Sequence, residues 1–174
     1  GGITQYSSTG KSICVSISPQ TDIPIDSNVG GLFGPFLKFA GFDVIEITGK
    51  AEKDVIVFID GVDHKVQILE APYIDVKDSH VLGEVLTDMY ADNEKDKKNI
   101  GVVATGSAAD HSNIGMLNFT FYDPKRKLVR LKQAGRGGIG TVFRDKKVKA
   151  IVCKIPGVKG NLNNVVDMKA IVER

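Results

Sequence analysis

"SNVGGLFGPFLKFAGFDVIEITGKA", residues 27–51, governs how the rest of the chain is read. It holds a paired glycine at Gly30 and Gly31, a third at Gly34, a lone lysine at Lys38, a fourth glycine at Gly41 and then an alternating apolar run. Glycine tolerates positive φ and leaves room for another backbone or a ligand, so this density marks a main-chain surface offered to something. Residues 35–39 read as a short helical turn stopped by Gly41, and residues 42–48 as a strand ended by Gly49.

The pattern recurs. AGRGGIG at 134–140 brings Gly137-Gly138 and Gly140, then Lys146, then a strand with Ile151 and Ile155 before Gly157, in the order of Gly30-Gly31, Gly34, Lys38, Ile45, Ile47 and Gly49. Two such units could present two similar backbone surfaces to a ligand with two similar halves. The second cluster also spells G-x-G-x-x-G at Gly135, Gly137 and Gly140. A nicotinamide-binding fold would need a buried strand before it, a full crossover helix after it and an acid about twenty residues on. Here the preceding KLVRLKQA is charged and the next strand follows closely, so that reading requires a long helix directly after Gly140.

Strands dominate elsewhere. Ile13, Val15 and Ile17 alternate with small polar residues as a half-buried strand ended at Ser18-Pro19, and residues 22–27, with Pro24 and two aspartates, read as loop or edge. VIVFID, Gly61 and KVQIL form a hairpin turning at Asp60-Gly61. Between residues 78 and 92, Val81, Leu82, Val85, Leu86, Met89 and Tyr90 recur at helical spacing, after which 93–99 reads as a solvated loop. Residues 100–104, the alternating Leu117, Phe119 and Phe121, LVRL after a Tyr122-Asp123-Pro124 turn, and VKAIVCKI give further strands, with a terminal helix expected over 161–174.

With 174 residues, 42% hydrophobic and 25% charged, the sequence suits one globular domain, 1–174, rather than a disordered tail. The balance of 23 basic against 21 acidic residues argues against a nucleic-acid partner, and no run approaches a membrane span. Cys14 and Cys153 lie in apolar runs as core fillers of a reducing, cytoplasmic compartment. His64, His80 and His111 lack metal-ligand spacing and read as surface residues; Asp22 and Asp26 read as solvated turn residues, and RDKKVK at 144–149 as a solvated turn. Arg136, between glycines, either holds its loop or touches a phosphate or pterin. The chain opens on Gly1 rather than methionine, which reads as a fragment or processed chain.

From residue 8 to residue 157, these motifs resemble the N-terminal domain of the tungsten-containing aldehyde:ferredoxin oxidoreductase family, which includes the catalytic subunit of a tungsten benzoyl-coenzyme A reductase. The likeness rests on N-x-GG-x-FG-x-x-LKFAG-[FY]-D and AGRGG-[ILV]-G-x-V, both long and specific. It implies an α+β fold, a β-rich saddle of two pseudo-symmetric sheet repeats with few helices, carrying a tungsten bis-pterin cofactor. The main-chain carbonyls of Asn28 and Gln133 would ligate a magnesium ion joining the two pterin phosphates. Gly30, Gly31, Ala134, Arg136, Gly137 and Gly138 would line the cofactor. The family's phosphate-contacting arginines fall on Lys11 and Lys132, where lysine keeps the charge but not the planar fork. At 104–111, ATGSAADH replaces the family's glycine-proline-alanine-glycine-glutamate run.

The resemblance also implies what lies outside these residues: a segment before the first matching strand, and later helical domains, or a separate subunit, carrying a 4Fe-4S cluster and proton-transfer groups. The expected activity is oxidation of an aldehyde, or reduction of a related acyl compound, with ferredoxin as electron partner and tungsten or molybdenum as metal. The isolated chain would bind cofactor without completing catalysis. A rival reading is a cofactor-free structural or assembly subunit that kept the saddle.

Overall fold

A computed structural model describes residues 10–157, and the helix expected over 161–174 lies outside them. Among the described residues, eight strands and three α-helices follow in the order β1 (Ser12–Ile17), β2 (Pro24–Val29), α1 (Phe33–Phe39), β3 (Val55–Asp60), β4 (Lys65–Glu70), α2 (Ser79–Tyr90), β5 (Ile100–Ala104), β6 (Leu117–Asp123), β7 (Leu128–Ala134), α3 (Ile139–Asp145) and β8 (Val148–Lys154). Six strands form a mixed sheet in the order β4-β3-β8-β5-β6-β7, and β1-β2 form a separate antiparallel pair. Only β3 and β8 run parallel; the other neighbours are antiparallel, in keeping with the hairpins read at Asp60-Gly61 and Asp123-Pro124.

Both faces of the large sheet are covered, so its central strands are apolar throughout. All five residues of β5 are buried. Neighbouring side chains divide between two cores: Val103, Ile151 and Cys153 face α1, α3 and the β1-β2 pair, while Val102, Ala150 and Val152 face Leu82 and Leu86 of α2. Helix α2 forms where the 3.6-residue spacing is continuous, and the Asp78 side chain caps it by accepting the backbone N–H groups of His80 and Val81. Cys153 is fully buried, which pushes its thiol up to about 12, and half-buried Cys14 is pushed up to about 11; both serve as core filler.

Four expectations change. Of the loop and edge alternatives read for residues 22–27, the loop falls away: Pro24–Val29 is an edge strand paired with β1 from Ser12↔Val29 to Ile17↔Pro24, because Ile25 and Val29 alternate toward the core despite the turn-rich composition. Residues 42–48 have no ladder partner among the described residues, although Ile45 and Ile47 alternate onto the core as a strand's inner face would and Phe42 packs against the same core. The alternation of β1 is real, but Ile13, Val15 and Ile17 point outward and Cys14 packs inward. Residues 93–99 are more than a solvated loop. A short 3-10 turn (Lys97–Asn99) holds Lys97 against Asp88 and Glu94, and Asp96 is nearly covered beside Lys154. The terminal ammonium of Lys97 is held above the usual lysine range, chiefly by its bond to Glu94.

Candidate functional site

The repeat read in the sequence is a structural repeat. Each unit is an antiparallel hairpin, a glycine bend, a seven-residue helix and an extended segment: β1-β2, α1 and 42–48 in the first, β6-β7, α3 and β8 in the second. Ser12↔Val29 and Leu117↔Ala134 hold equivalent places, which makes Asn28 and Gln133 counterparts, as the sequence suggested. Gly34 and Gly140 are each the second residue of their helix, beneath the first residues of their hairpins. After each helix comes one positive φ, at Gly41 (96°) and Lys147 (58°). Counted from those two positive-φ residues, Ile45 is the counterpart of Ile151 and Ile47 that of Cys153. Lys38 therefore corresponds to Arg144 rather than Lys146, and both make ion pairs, Lys38 with Asp43 and Arg144 with Asp54 and Asp110.

The two units exchange contacts at their bends. In the second bend, the Arg136 N–H donates to Ser27 Oγ of β2 at 3.2 Å, and a Cβ on Gly137 would lie 2.5 Å from Ile25. In the first bend, a Cβ on Gly31 would meet Lys132 of β7 at 3.5 Å. So β2 leans on the second bend while β7 leans on the first, the reciprocity a pseudo-twofold axis between them produces.

This exchange brings most of the sequence-predicted residues to one place. The β1-β2 ladder, carried one step past Ser12↔Val29, sets Lys11 beside Gly30. Lys132, Gln133 and Ala134 end β7, and Arg136 follows, with Lys11, Asn28, Lys132, Gln133 and Arg136 all exposed and Ala134 buried. The Asn28 side chain donates to Asp26 at 3.0 Å. Three cations, Lys11, Lys132 and Arg136, thus border the paired strand ends.

The glycines divide into two kinds. At Gly30 and Gly135 a Cβ would meet nothing within 4 Å. At Gly138, which has φ 68°, a Cβ would lie 2.2 Å from the Asn113 carbonyl, and at Gly140 2.3 Å from the Met116 carbonyl. Those two are glycine because the protein's own backbone presses on them. The α3 helix that follows has only seven residues and β8 begins at Val148, which removes the nicotinamide-binding reading.

Other predicted positions are structural. His64 Nδ1 bonds the Ala40 carbonyl at 3.0 Å and His80 Nε2 the Val129 carbonyl at 3.0 Å. Among the described residues no three His, Cys, Asp or Glu side chains gather into a group that could hold a metal ion. The basic stretch 144–149 is stitched down rather than solvated. Arg144 bridges Asp54 and Asp110, while the ammonium groups of Lys146, Lys147 and Lys149 donate to the carbonyls of Gly49, Glu52 and Ile74. The altered loop at 104–111 is correspondingly well held: Arg144 fixes Asp110, and Thr141 Oγ1 donates to the Ser112 carbonyl at 2.5 Å. No sequence signal marked Ser27 or Ile25 as supports of the second bend, because their partners lie more than a hundred residues away.

The profile of the aldehyde ferredoxin oxidoreductase N-terminal domain family matches residues 1–155, and the chain belongs to that family. A tungsten-containing aldehyde ferredoxin oxidoreductase of Pyrococcus furiosus is 33% identical over 144 residues, 82% of this chain and 21% of that protein. That of Thermococcus kodakarensis is 34% identical over the same shares. Among solved structures, the active-site complex BamBC of benzoyl coenzyme A reductase with 1,5-dienoyl-CoA superimposes with a TM-score of 0.69 and 28% identity, covering 92% of this chain and 21% of the other. The chain therefore spans about a fifth of the length of the relatives it matches.

Proposed function

We propose that this chain is the cofactor-cradling part of a tungsten- or molybdenum-dependent oxidoreductase that converts an aldehyde or related acyl compound, exchanging electrons with ferredoxin. The observation that supports it is the meeting of two equivalent strand ends whose backbones are bare at Gly30 and Gly135 and whose borders carry Lys11, Lys132 and Arg136. A pseudo-symmetric bed of main chain and cations suits a ligand with two similar, anionic halves, as a bis-pterin with two phosphates is. The bare glycines suit such a group, since a flat ring system can lie directly against main chain only where no Cβ intervenes.

In this reading, Lys11 and Lys132 neutralise the phosphates as mobile point charges, with less directional control than a guanidinium fork. The main-chain carbonyls of Asn28 and Gln133 would hold a magnesium ion, which would supply counter-charge to the phosphates. The bound metal-pterin group supplies the two-electron chemistry, and a 4Fe-4S cluster elsewhere in the enzyme passes the electrons on. This chain's own task would be to hold and orient the group.

The test is metal and pterin analysis of the native complex purified without oxygen. Tungsten or molybdenum in stoichiometric amount with a pterin supports the reading. A pure, folded complex with neither would establish the cofactor-free assembly subunit in its place.

A further inference from the structure

The six-stranded sheet ends in two unlike edges. The β7 edge lies beside β2 of the other hairpin, and its exposed side chains include Arg130 and Lys132. At β4 nothing among the described residues pairs with the outer side, and all six residues are exposed. Sheet edges are commonly blunted by a proline, a bulge or an inward-pointing charge. KVQILE has none of these: it runs in unbroken register with β3, and its charges stand only at its two ends.

Which main-chain groups face outward follows from one bond. The Ala71 N–H donates to the Asp54 carbonyl at 2.8 Å, and the ladder continues from there as Val55↔Glu70 and Ile56↔Leu69. Bonded pairs alternate along an antiparallel ladder, so Lys65, Gln67 and Leu69 turn their main-chain groups to β3, while Val66, Ile68 and Glu70 aim theirs outward. The side chains of Val66 and Ile68 stand opposite Ile59 and Val57, on the face that carries α1 and α3, yet they are 51% and 73% exposed. An apolar strip therefore reaches the rim of the sheet beside unpaired backbone.

We infer that β4 pairs antiparallel with β4 of a second copy of this chain, joining two sheets into one across a twofold axis at Gln67. A twofold pair that keeps the sheet continuous opposes residues of the same face and uses the outward groups of both strands, which leaves a centre at Gln67 or at Ile68. Centred on Ile68, the pairing sets Val66 against Glu70. Centred on Gln67, it sets Val66 against the partner's Ile68 and Ile68 against the partner's Val66, apolar against apolar beside new main-chain bonds.

The ends of the strand agree with this direction. Antiparallel pairing places the Glu70 end of one copy beside the Lys65 end of the other, so opposite charges meet. It also turns Tyr73, 93% exposed beyond one end, toward Val62, 55% exposed beyond the other. A parallel partner does neither. The strand is its own complement in charge and apolar pattern, which selects a second copy over an unrelated peptide.

The complete enzyme carries the test, as separate Gln67→Cys and Ile68→Cys variants oxidised mildly under anaerobic conditions. Residues facing each other on the axis have Cα atoms about 4.5 Å apart, within disulfide reach, whereas the two position-68 residues, offset along the strands, lie about 8 Å apart and out of reach. Peptide mapping should find an interchain disulfide at position 67 and about tenfold less at position 68. Adding Ile68→Lys to Gln67→Cys should cut the position-67 yield by about tenfold, since a charge then replaces the apolar pair, and should release slow amide exchange at residues 66, 68 and 70. Lack of an interchain disulfide at position 67, or equal yields at 67 and 68, overturns the inference. Slow exchange of 66, 68 and 70 that persists with Ile68→Lys overturns it too, because another part of the same enzyme then covers the edge. None of these readouts depends on bound cofactor.

Discussion

The two glycine bends share a sequence pattern and a backbone course, yet they use their glycines differently. The second is compressed: Gly137, Gly138 and Gly140 each have another part of the chain where a Cβ would sit, and two of those neighbours are backbone carbonyls. The first is looser, with Gly30 open and Gly31 in ordinary contact, although Gly34 lies under Ser12. One motif therefore carries two constraints, close packing between segments and an uncovered main chain, and a sequence alone shows only their sum.

The largest effect should separate those constraints. Gly140→Ala places a methyl 2.3 Å from the Met116 carbonyl, which cannot rotate away as a side-chain tip could. A loss of about 3 kcal/mol or more is expected in chemical denaturation. Gly30→Ala meets nothing within 4 Å and should stay within about 0.5 kcal/mol of the parent. Equal losses at the two positions would mean that the distinction between open and compressed glycines is wrong.

The next effect concerns the ligand rather than the fold. A bulky side chain at the open position, as in Gly135→Val, should leave the melting temperature nearly unchanged while lowering pterin occupancy of the native complex by about tenfold, worth roughly 1.4 kcal/mol. Lys132→Gln should lower it by a similar or smaller factor, and Lys132→Arg should restore it, because a guanidinium keeps the charge and adds the fork. Unchanged occupancy in all three would move the cofactor away from this bed.

A smaller effect tests the helix ends. Gly41 and Lys147 occupy the same turn with positive φ, but only Gly41 has no Cβ to strain. Gly41→Ala should cost about 1 kcal/mol, since its φ of 96° is foreign to alanine and the new Cβ would lie 3.2 Å from His64. Lys147→Gly should gain a few tenths to about 1 kcal/mol by relieving strain, partly offset by the lost bond to the Glu52 carbonyl. Paired thermal melts read both signs, and like signs would show that the two turns are not equivalent.

Local signals made much of this fold legible. The Asp60-Gly61 hairpin, the spacing of Leu82 and Leu86 behind the Asp78 cap, and the runs that became β5 and β8 each satisfy their own short-range rule. The failures are of another kind. Residues 24–29 carry turn-forming side chains, and pairing with β1 overrides that preference. The alternation of Ile13, Val15 and Ile17 gave the period of β1 but not its facing, since both sides of a strand can be apolar and only neighbours decide which is inside. At the candidate site, Lys11, Asn28, Lys132 and Gln133 came from matched motifs, while the approach of Ser27 to Arg136 across 109 residues has no local trace.

The smallest effect contrasts the two hairpin turns. In β6-β7, Asp123 Oδ1 accepts the N–H groups of Lys125 and Arg126, and Oδ2 accepts from the Arg126 guanidinium at 2.8 Å. The Arg126 bond, foremost, holds the carboxyl below the usual aspartate range. In β1-β2 the anchor is a neutral hydroxyl, Ser18 Oγ, accepting from the Gln20 N–H at 3.2 Å. A depressed folded pKa contributes stability above the unfolded value of about 3.9, and that contribution disappears as pH falls through the folded value. Asp123→Asn should therefore lower the melting temperature slightly near neutrality and flatten its decline below about pH 4, whereas Ser18→Ala should shift the whole curve without changing its slope. The parent's steep acid limb surviving in Asp123→Asn would place the controlling carboxylate elsewhere, with Asp96 the next to examine, where burial is outweighed by bonds from Asn99, the Asp92 backbone and Lys154.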